Sequence, residues 1–176
     1  MKNRTIFLSI ALGAISVCCF ANPKNVILFI GDGMSTPQRM TADEFARKAG
    51  LPPLAFNRLG HEATTRTCSA NSLVTDSAAA ATAIACGEKT NNGALGMDTT
   101  TNRLYSMATL AKERGKKVGI VTSVTINHAT PAGFYAHRKN RGDGYGIGLD
   151  LLASGFDYFA GGGLVFRTTR DTRLEA

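Results

Sequence analysis

Beyond position 21 the chain has no run of about 18 apolar residues, the length a membrane-crossing helix needs, so no spanning helix is expected there. It has no internal repeat and no low-complexity stretch that would serve as a linker, and therefore no domain boundary is expected within residues 22–163. A clustered basic face, the footprint of nucleic-acid binding, is also missing. Lys112, Arg114, Lys116 and Lys117 read as a solvated helix end, where cations complement the negative pole of the dipole, and His137 to Arg141 can be read the same way. No nucleic-acid partner is expected. Cysteine is scarce at four residues, and only Cys68 and Cys86 lie outside the first 21 positions, so the chain beyond them could form one disulfide. The Gly-x-Ser-x-Gly elbow of the α/β-hydrolases is absent.

The first 21 residues read as a secretory leader. Lys2 and Arg4 make a basic start, Ile6 to Val17 is mostly apolar, and Cys19-Phe20-Ala21 has the character of a cleavage site. Val17 and Cys18 match poorly the small residues of a lipid-attachment site, so a lipid anchor on Cys18 or Cys19 is the weaker reading. The expectation is a periplasmic or secreted protein. Loss of Lys2 and Arg4 would lower the net charge of +7 and leave it basic. A chain of 176 residues with 44% hydrophobic content has room for one ordinary domain.

Residues 25–30 (Asn-Val-Ile-Leu-Phe-Ile), ended by Gly31, form the apolar, β-branched run of a strand buried on both faces, which predicts a central strand. Thr36-Pro37 opens a helix that Gly50 stops after Lys48. Leu54 to Phe56 reads as a short turn and His61 to Thr67 as a strand. Further helices are expected over Ala78 to Cys86, closed by Gly87, and Leu104 to Arg114, closed by Gly115. A second buried strand is expected over Lys117 to Thr122, and a third over Phe156 to Ala160. Strands alternating with helices indicate an α/β layer fold, in which ligands sit beyond the carboxyl ends of the strands. Asp32, after the first strand, and Asn127, His128 and Thr130, after the second, should then face one crevice.

Asp76-Ser77-Ala78 lies where polar, turn-forming residues give way to an alanine-rich helix. Asp76 or Thr75 can be a plain N-cap. The first turn of a helix also offers unpaired N–H groups and the positive end of the dipole, so a hydroxyl there, Ser77, is placed where an alkoxide or a phosphate is stabilised. Gly31-Asp32-Gly33 holds a carboxylate between residues that permit a sharp turn. In His128-Ala129-Thr130-Pro131 the proline biases Thr130 to extended backbone, which would point His128 and Thr130 the same way. Oxygens of Asp32 and Thr130 suit a hard ion such as Mg²⁺, with His128 near enough to orient a bound water. An arginine grips phosphate through two parallel N–H bonds, so Arg138 and Arg141 are both candidates and charge alone does not separate them.

Taken together, Lys24 to Met34, Val74 to Ala83, and His128 to Ala132 with Tyr135-Ala136-His137 and Asn140-Arg141 resemble the alkaline phosphatases, in the same order and over roughly Pro23 to Gly163. The resemblance implies a three-layer α/β/α sandwich around a central, mainly parallel sheet, cut short here. It implies phosphomonoester hydrolysis through a phosphoserine, with two zinc ions and one magnesium. By resemblance Ser77 is the nucleophile and a zinc ligand, Asp32 bridges a zinc and the magnesium, and Thr130 is a magnesium ligand. His128 stands where some members carry aspartate, and would hold its metal less directly. The arginine thirteen residues after that histidine, Arg141, would hold the phosphate. The family implies a homodimer.

The resemblance stops short of a whole enzyme. The family's other ligands, a glutamate, an Asp-x-x-x-His, an Asp-His pair and a further histidine, have no counterpart here, and the three histidines present, His61, His128 and His137, fit no such pattern. The expectation is an N-terminal part of an alkaline phosphatase, with a leader at 1–21, the domain portion at 22–163 and a divergent tail at 164–176, with little activity by itself. The rival expectations are a non-catalytic exported remnant or weak phosphate binder, a serine hydrolase pairing Ser77 with His128, and a related metal-dependent phosphodiesterase or sulfatase, which the Asp-Ser-Ala and Thr-Pro motifs disfavour.

Overall fold

Alanine-rich helices that approach closely, rather than a wide sheet, make up most of the ordered core. The structure, a computed structural model, describes residues 24–165. The expected leader and residues 166–176 of the expected tail lie outside the described residues. The chain divides into two units, residues 1–31 and 32–176.

In the first unit, the described residues 24–31 form neither helix nor strand, and Val26, Ile27 and Phe29 are exposed. The expected central strand over residues 25–30 is therefore not observed. An apolar run reports a tendency to be buried, whereas a strand also needs a neighbour for its N–H and C=O groups, and the described residues of this unit offer none.

The second unit begins with helix α1, Thr36–Lys48. Its N-cap is Ser35, whose N–H donates to Gln38 Oε1 at 3.2 Å, and Pro37 falls in the first turn, where a missing N–H costs nothing. A 3₁₀ turn follows at Ala55–Arg58. The strand expected over His61 to Thr67 is absent, that stretch being irregular. Helix α2, Ser77–Cys86, ends on Gly87 at φ 74, a left-handed C-cap that glycine adopts without strain. Helix α3 is Met107–Glu113, shorter than the sequence suggested because Ser106 caps it: Ser106 Oγ accepts from Thr109 N–H at 3.1 Å and donates to the Phe134 carbonyl at 2.7 Å. Strand β1, Gly119–Val121, helix α4, Ala129–Ala132, helix α5, Gly144–Ala153, and strand β2, Tyr158–Ala160, complete the order.

The two strands pair in parallel, with Gly119 opposite Tyr158, Ile120 opposite Phe159 and Val121 opposite Ala160. The sequence suggested a strand from Lys117 to Thr122 buried on both faces. The observed β1 is three residues long and alternates, with Ile120 turned to the core and Val121 exposed, as a strand covered on one side does. Asp157 ties its start, accepting the Val118 N–H at 2.9 Å and pairing with Lys112 and Lys117 at 2.9 and 3.0 Å. The Lys112 pairing, then the Val118 N–H, then Lys117 hold its carboxyl far below the usual range.

Leu95 and Ile147 are fully buried, each contributing roughly 1.5–3 kcal/mol, among Ala78, Ala129, Ala132 and Ala136. The small side chains let α4 settle on α2. A Cβ at Gly133 would lie 2.6 Å from Ala81 Cβ, so only glycine permits that approach. A second cluster gathers Ala85, Ala108, Val118 and Phe134. Cys68 and Cys86 are both free thiols, and burial, then the charge of Glu88, pushes Cys86 up to about 11, which makes it a small hydrophobe rather than a reactive group.

Candidate functional site

Ser77 is the first helical residue of α2, and Asp76 before it is the N-cap in extended backbone, its Oδ1 accepting the Ala79 N–H at 2.9 Å. The cap reading of Asp76 and the placement of a hydroxyl at a helix N-terminus thus hold together. The N–H groups of Ser77 and Ala78 have no partner among the described residues, which leaves the first turn open to an anion.

The loop before Ser77 is held by Asn92. Asn92 Oδ1 accepts the Asp76 N–H at 3.1 Å, its Nδ2 donates to the Val74 carbonyl at 2.9 Å, and its own N–H donates to Asn71 Oδ1 at 2.9 Å. Sequence reasoning missed Asn92. No periodic signal marks it, since it acts through loop contacts 16 to 21 residues distant.

Asp76 Oδ2 carries a second task. It accepts the Gly93 N–H at 3.0 Å and the Arg141 Nη1–H at 3.2 Å, while the Arg141 N–H donates to the Gly93 carbonyl at 2.7 Å. Burial alone would raise the Asp76 pKa; the Ala79 and Gly93 N–H groups and Arg141 outweigh it and hold the carboxyl below its ordinary value. Arg138, the other candidate, is engaged elsewhere: Nε and Nη2 grip Asp150 at 2.8 and 2.6 Å, and Nη2 also donates to the Gly146 carbonyl. Of the two arginines, Arg141 is beside the Asp-Ser pair and Arg138 buttresses α5.

Asp32 Oδ2 accepts two hydroxyls, Ser77 Oγ at 2.8 Å and Thr130 Oγ1 at 3.0 Å. Of the four residues expected to face one crevice, Asp32 and Thr130 are in hydrogen-bond contact, whereas Asn127 Nδ2 donates to the Gly144 and Val165 carbonyls. The local reason differs from the expectation for Thr130, which is helical rather than extended: Ala129–Ala132 forms the turn α4 with His128 as N-cap. Pro131 lies within the first turn, where it needs no N–H, and the pre-proline bias of Thr130 is overridden by packing, Ala129 and Ala132 being buried against α2.

His128 Nε2 lies 3.3 Å from Arg141 Nη2. Arginine only donates, so Nε2 accepts and the neutral ring carries its proton on Nδ1. Burial first, then the Arg141 charge, lowers the His128 pKa, in keeping with a neutral ring. Among the described residues Nδ1 is buried and without a partner, a state that costs about 1–3 kcal/mol unless a water or ligand satisfies it. His128 does not reach Ser77, whose hydroxyl is directed at Asp32, so the Ser–His hydrolase pairing is not formed.

Asp32 and Thr130 bring together two oxygens, the donor type that a hard cation such as Mg²⁺ takes while keeping several waters, and among the described residues no group of three His, Cys, Asp or Glu side chains surrounds them. Zinc is different. A catalytic zinc takes three protein ligands, and among the described residues no three His, Cys, Asp or Glu side chains gather to hold one. The residues present do not by themselves fit a zinc site.

Residues 23–147 match the sequence model of the alkaline phosphatase family. The chain is 38% identical to the tissue-nonspecific alkaline phosphatase of Felis catus, over 67% of this chain and 25% of that protein. It is 34% identical to alkaline phosphatase 4 of Bacillus subtilis, over 88% of this chain and 36% of the relative. Its fold is similar to the alkaline phosphatase of the Antarctic bacterium TAB5, with a TM-score of 0.75 and 40% identity, over 85% of this chain and 43% of that one. A His-to-Glu variant of the TAB5 enzyme, with Mg bound in its M3 site, matches with the same TM-score. The chain thus spans less than half the length of the relatives it matches. With its family sequence match and the α/β fold of those enzymes, the chain belongs to the alkaline phosphatase family.

Proposed function

We propose that this chain carries the nucleophile and phosphate grip of a phosphomonoester hydrolase. The observation that supports it most is the convergence of Ser77 and Thr130 on one oxygen of Asp32, with Arg141 bound to the residue that precedes Ser77. Ser77 Oγ forms the bond to phosphorus as the ester P–O bond breaks. Its proton is directed at Asp32 Oδ2, and the alcohol leaves and takes a proton from water. Water then attacks phosphorus, the Ser77 Oγ–P bond breaks, and Ser77 Oγ takes back the proton held at Asp32. Arg141, its guanidinium oriented by Asp76, and the free N–H groups of Ser77 and Ala78 neutralise charge on the transferring group, the main requirement of this chemistry. Asp32 and Thr130 would hold a magnesium ion. Bound there, the ion would supply positive charge beside the phosphoryl oxygens. No step is assigned to zinc.

A second reading has support of its own. Because the described residues gather no three zinc donors, this chain alone is a weak phosphate binder with little turnover. The experiment separating the two adds Zn²⁺ and Mg²⁺ to the purified chain and follows phosphate release from an aryl phosphate. Metal-dependent turnover lost in Ser77→Ala supports the hydrolase; none leaves the binder; esterase activity that resists a chelator points to a metal-free serine hydrolase and removes both. The leader at 1–21, a domain portion at 22–163 and a tail at 164–176 belong to the same proposal, as do export to the periplasm or medium and a homodimer. An N-terminus at Asn22 in the exported protein, read by mass spectrometry, checks the leader.

A further inference from the structure

Cys68 is not an isolated thiol. Lys89 Nζ lies 3.3 Å from its sulfur, a contact between an amine and a thiol 21 residues apart in the chain, with no room for a water between them. The amine is held in that place by main-chain oxygens: it donates to the Arg66 carbonyl at 3.2 Å and to the Cys68 carbonyl. The segments on either side are tied as well, the Ala70 N–H donating to the Thr90 carbonyl at 2.9 Å and the Asn92 N–H to Asn71 Oδ1 at 2.9 Å. Cys68 is half-buried and Lys89 exposed, so a small oxidant can reach the pair. The other thiol differs, since burial and the charge of Glu88 raise Cys86 to about 11 and keep it protonated, the unreactive form.

We propose that hydrogen peroxide joins Cys68 to Lys89 through a sulfenamide, and that this bond staples the loop carrying Ser77. The Cys68 thiol is oxidised first: the sulfur gains one peroxide oxygen as S–OH, and the other leaves as water. The Lys89 ammonium gives one proton to solvent, and the freed electron pair on Nζ attacks the sulfur. The S–N bond forms as the S–O bond breaks, and the departing hydroxide takes a second nitrogen proton and leaves as water. Sulfur has then given two electrons to the peroxide, and Lys89 has lost its charge. An external thiol reverses the step, restoring S–H and the free amine. Distance favours this outcome over simple thiol oxidation, because the sulfenic acid forms with an amine already in contact and its capture is intramolecular. The two residues bracket helix α2 and its cap Asp76, so the bond closes a loop around the nucleophile and restricts the unfolded chain there.

The full chain is treated with hydrogen peroxide, its remaining thiols are blocked, and it is cleaved after glutamate without reductant, which separates Cys68 from Lys89 at Glu88. Mass spectrometry is expected to find the Cys68 and Lys89 peptides joined, about 2 Da below the sum of their masses, and dithiothreitol should release both. Lys89→Arg keeps donors for the two carbonyls but brings no nucleophilic amine, and its reaction should end at Cys68 sulfenic or sulfinic acid. Cys86→Ser should cross-link as the wild-type chain does. The joined chain should unfold at a higher urea concentration than the same chain after reduction. A joined product that persists in Lys89→Arg, a Cys68–Cys86 disulfide in its place, or wild-type Cys68 oxygenated with Lys89 left free would each overturn the cross-link. An unshifted urea midpoint in the joined chain would overturn the staple.

Discussion

Replacing Asp76 separates the tasks that one carboxylate performs. In Asp76→Ala, helix α2 loses its cap to Ala79, worth about 0.5–2 kcal/mol. The Gly93 N–H loses its acceptor, worth about 1–3 kcal/mol when the group stays out of water. Asp76 and Arg141 side chains are 25% and 33% exposed, so solvent screens their pair and its share is about 0.2–1 kcal/mol. The burial cost that Asp76 itself pays is recovered on truncation, so the net loss is less than the sum and is expected at about 2–4 kcal/mol. Asp76→Asn is the sharper change. Its amide oxygen can still cap α2, but its NH₂ must then face two donors, Gly93 N–H and Arg141, at a cost of about 1–2 kcal/mol.

Urea unfolding followed by circular dichroism measures both variants, and a double-mutant cycle with Arg141→Ala isolates the pair, expected at about 0.2–1 kcal/mol. Phosphate affinity should fall in Asp76→Asn, because the guanidinium loses the anchor that aims it. An Asp76→Asn chain as stable as wild type, or an Asp76→Ala loss below about 0.5 kcal/mol, would refute the claim that this carboxylate organises the site.

Gly133→Ala should lower stability by about 1–3 kcal/mol in the same assay, since the new methyl would meet Ala81 Cβ at 2.6 Å and force α4 from α2. Ser106→Ala removes the cap of α3 and the bond to the buried Phe134 carbonyl, a loss of about 1–3 kcal/mol that unfolding midpoints will register. Asp157 titrates well below its unfolded value, so its stabilisation is complete above about pH 5 and is lost as pH falls through the acid range. Melting temperature measured from pH 7 to pH 2 should therefore decline less steeply in Asp157→Asn than in wild type, and parallel curves would contradict the pairing with Lys112 and Lys117.

Where local chemistry and tertiary context agreed, the sequence was readable. Helix α2 was legible because a capping residue, an alanine run and a closing glycine all point to the same boundaries. Residues 25–30 misled because hydrophobicity specifies burial and says nothing of which strand will supply the ladder. Thr130 misled for the opposite reason: a local bias toward extended backbone is worth less than the packing of Ala129 and Ala132 against α2. Ser77, Asp32 and Arg141 were readable by motif, and the structure brings the first two into hydrogen-bond contact and ties the third to Asp76. Asn92 was not, because a side chain that clamps a loop from a distant turn leaves no spacing rule in the chain.

The nucleophile and the phosphate grip are not positioned independently. Asp76 sets the first turn of α2 with one oxygen and holds Arg141 with the other, while Gly93 bridges both residues through its N–H and carbonyl. The methyl-sized side chains of α2 serve the same end, since they let α4 approach until Thr130 and Ser77 share Asp32 Oδ2. A larger residue at Ala81 or Gly133 would therefore act at a distance, moving Thr130 off Asp32 before touching any group that meets phosphate. This explains in physical terms why a helix of such low side-chain volume carries the chemistry: close packing, rather than side-chain reach, brings the three oxygens together.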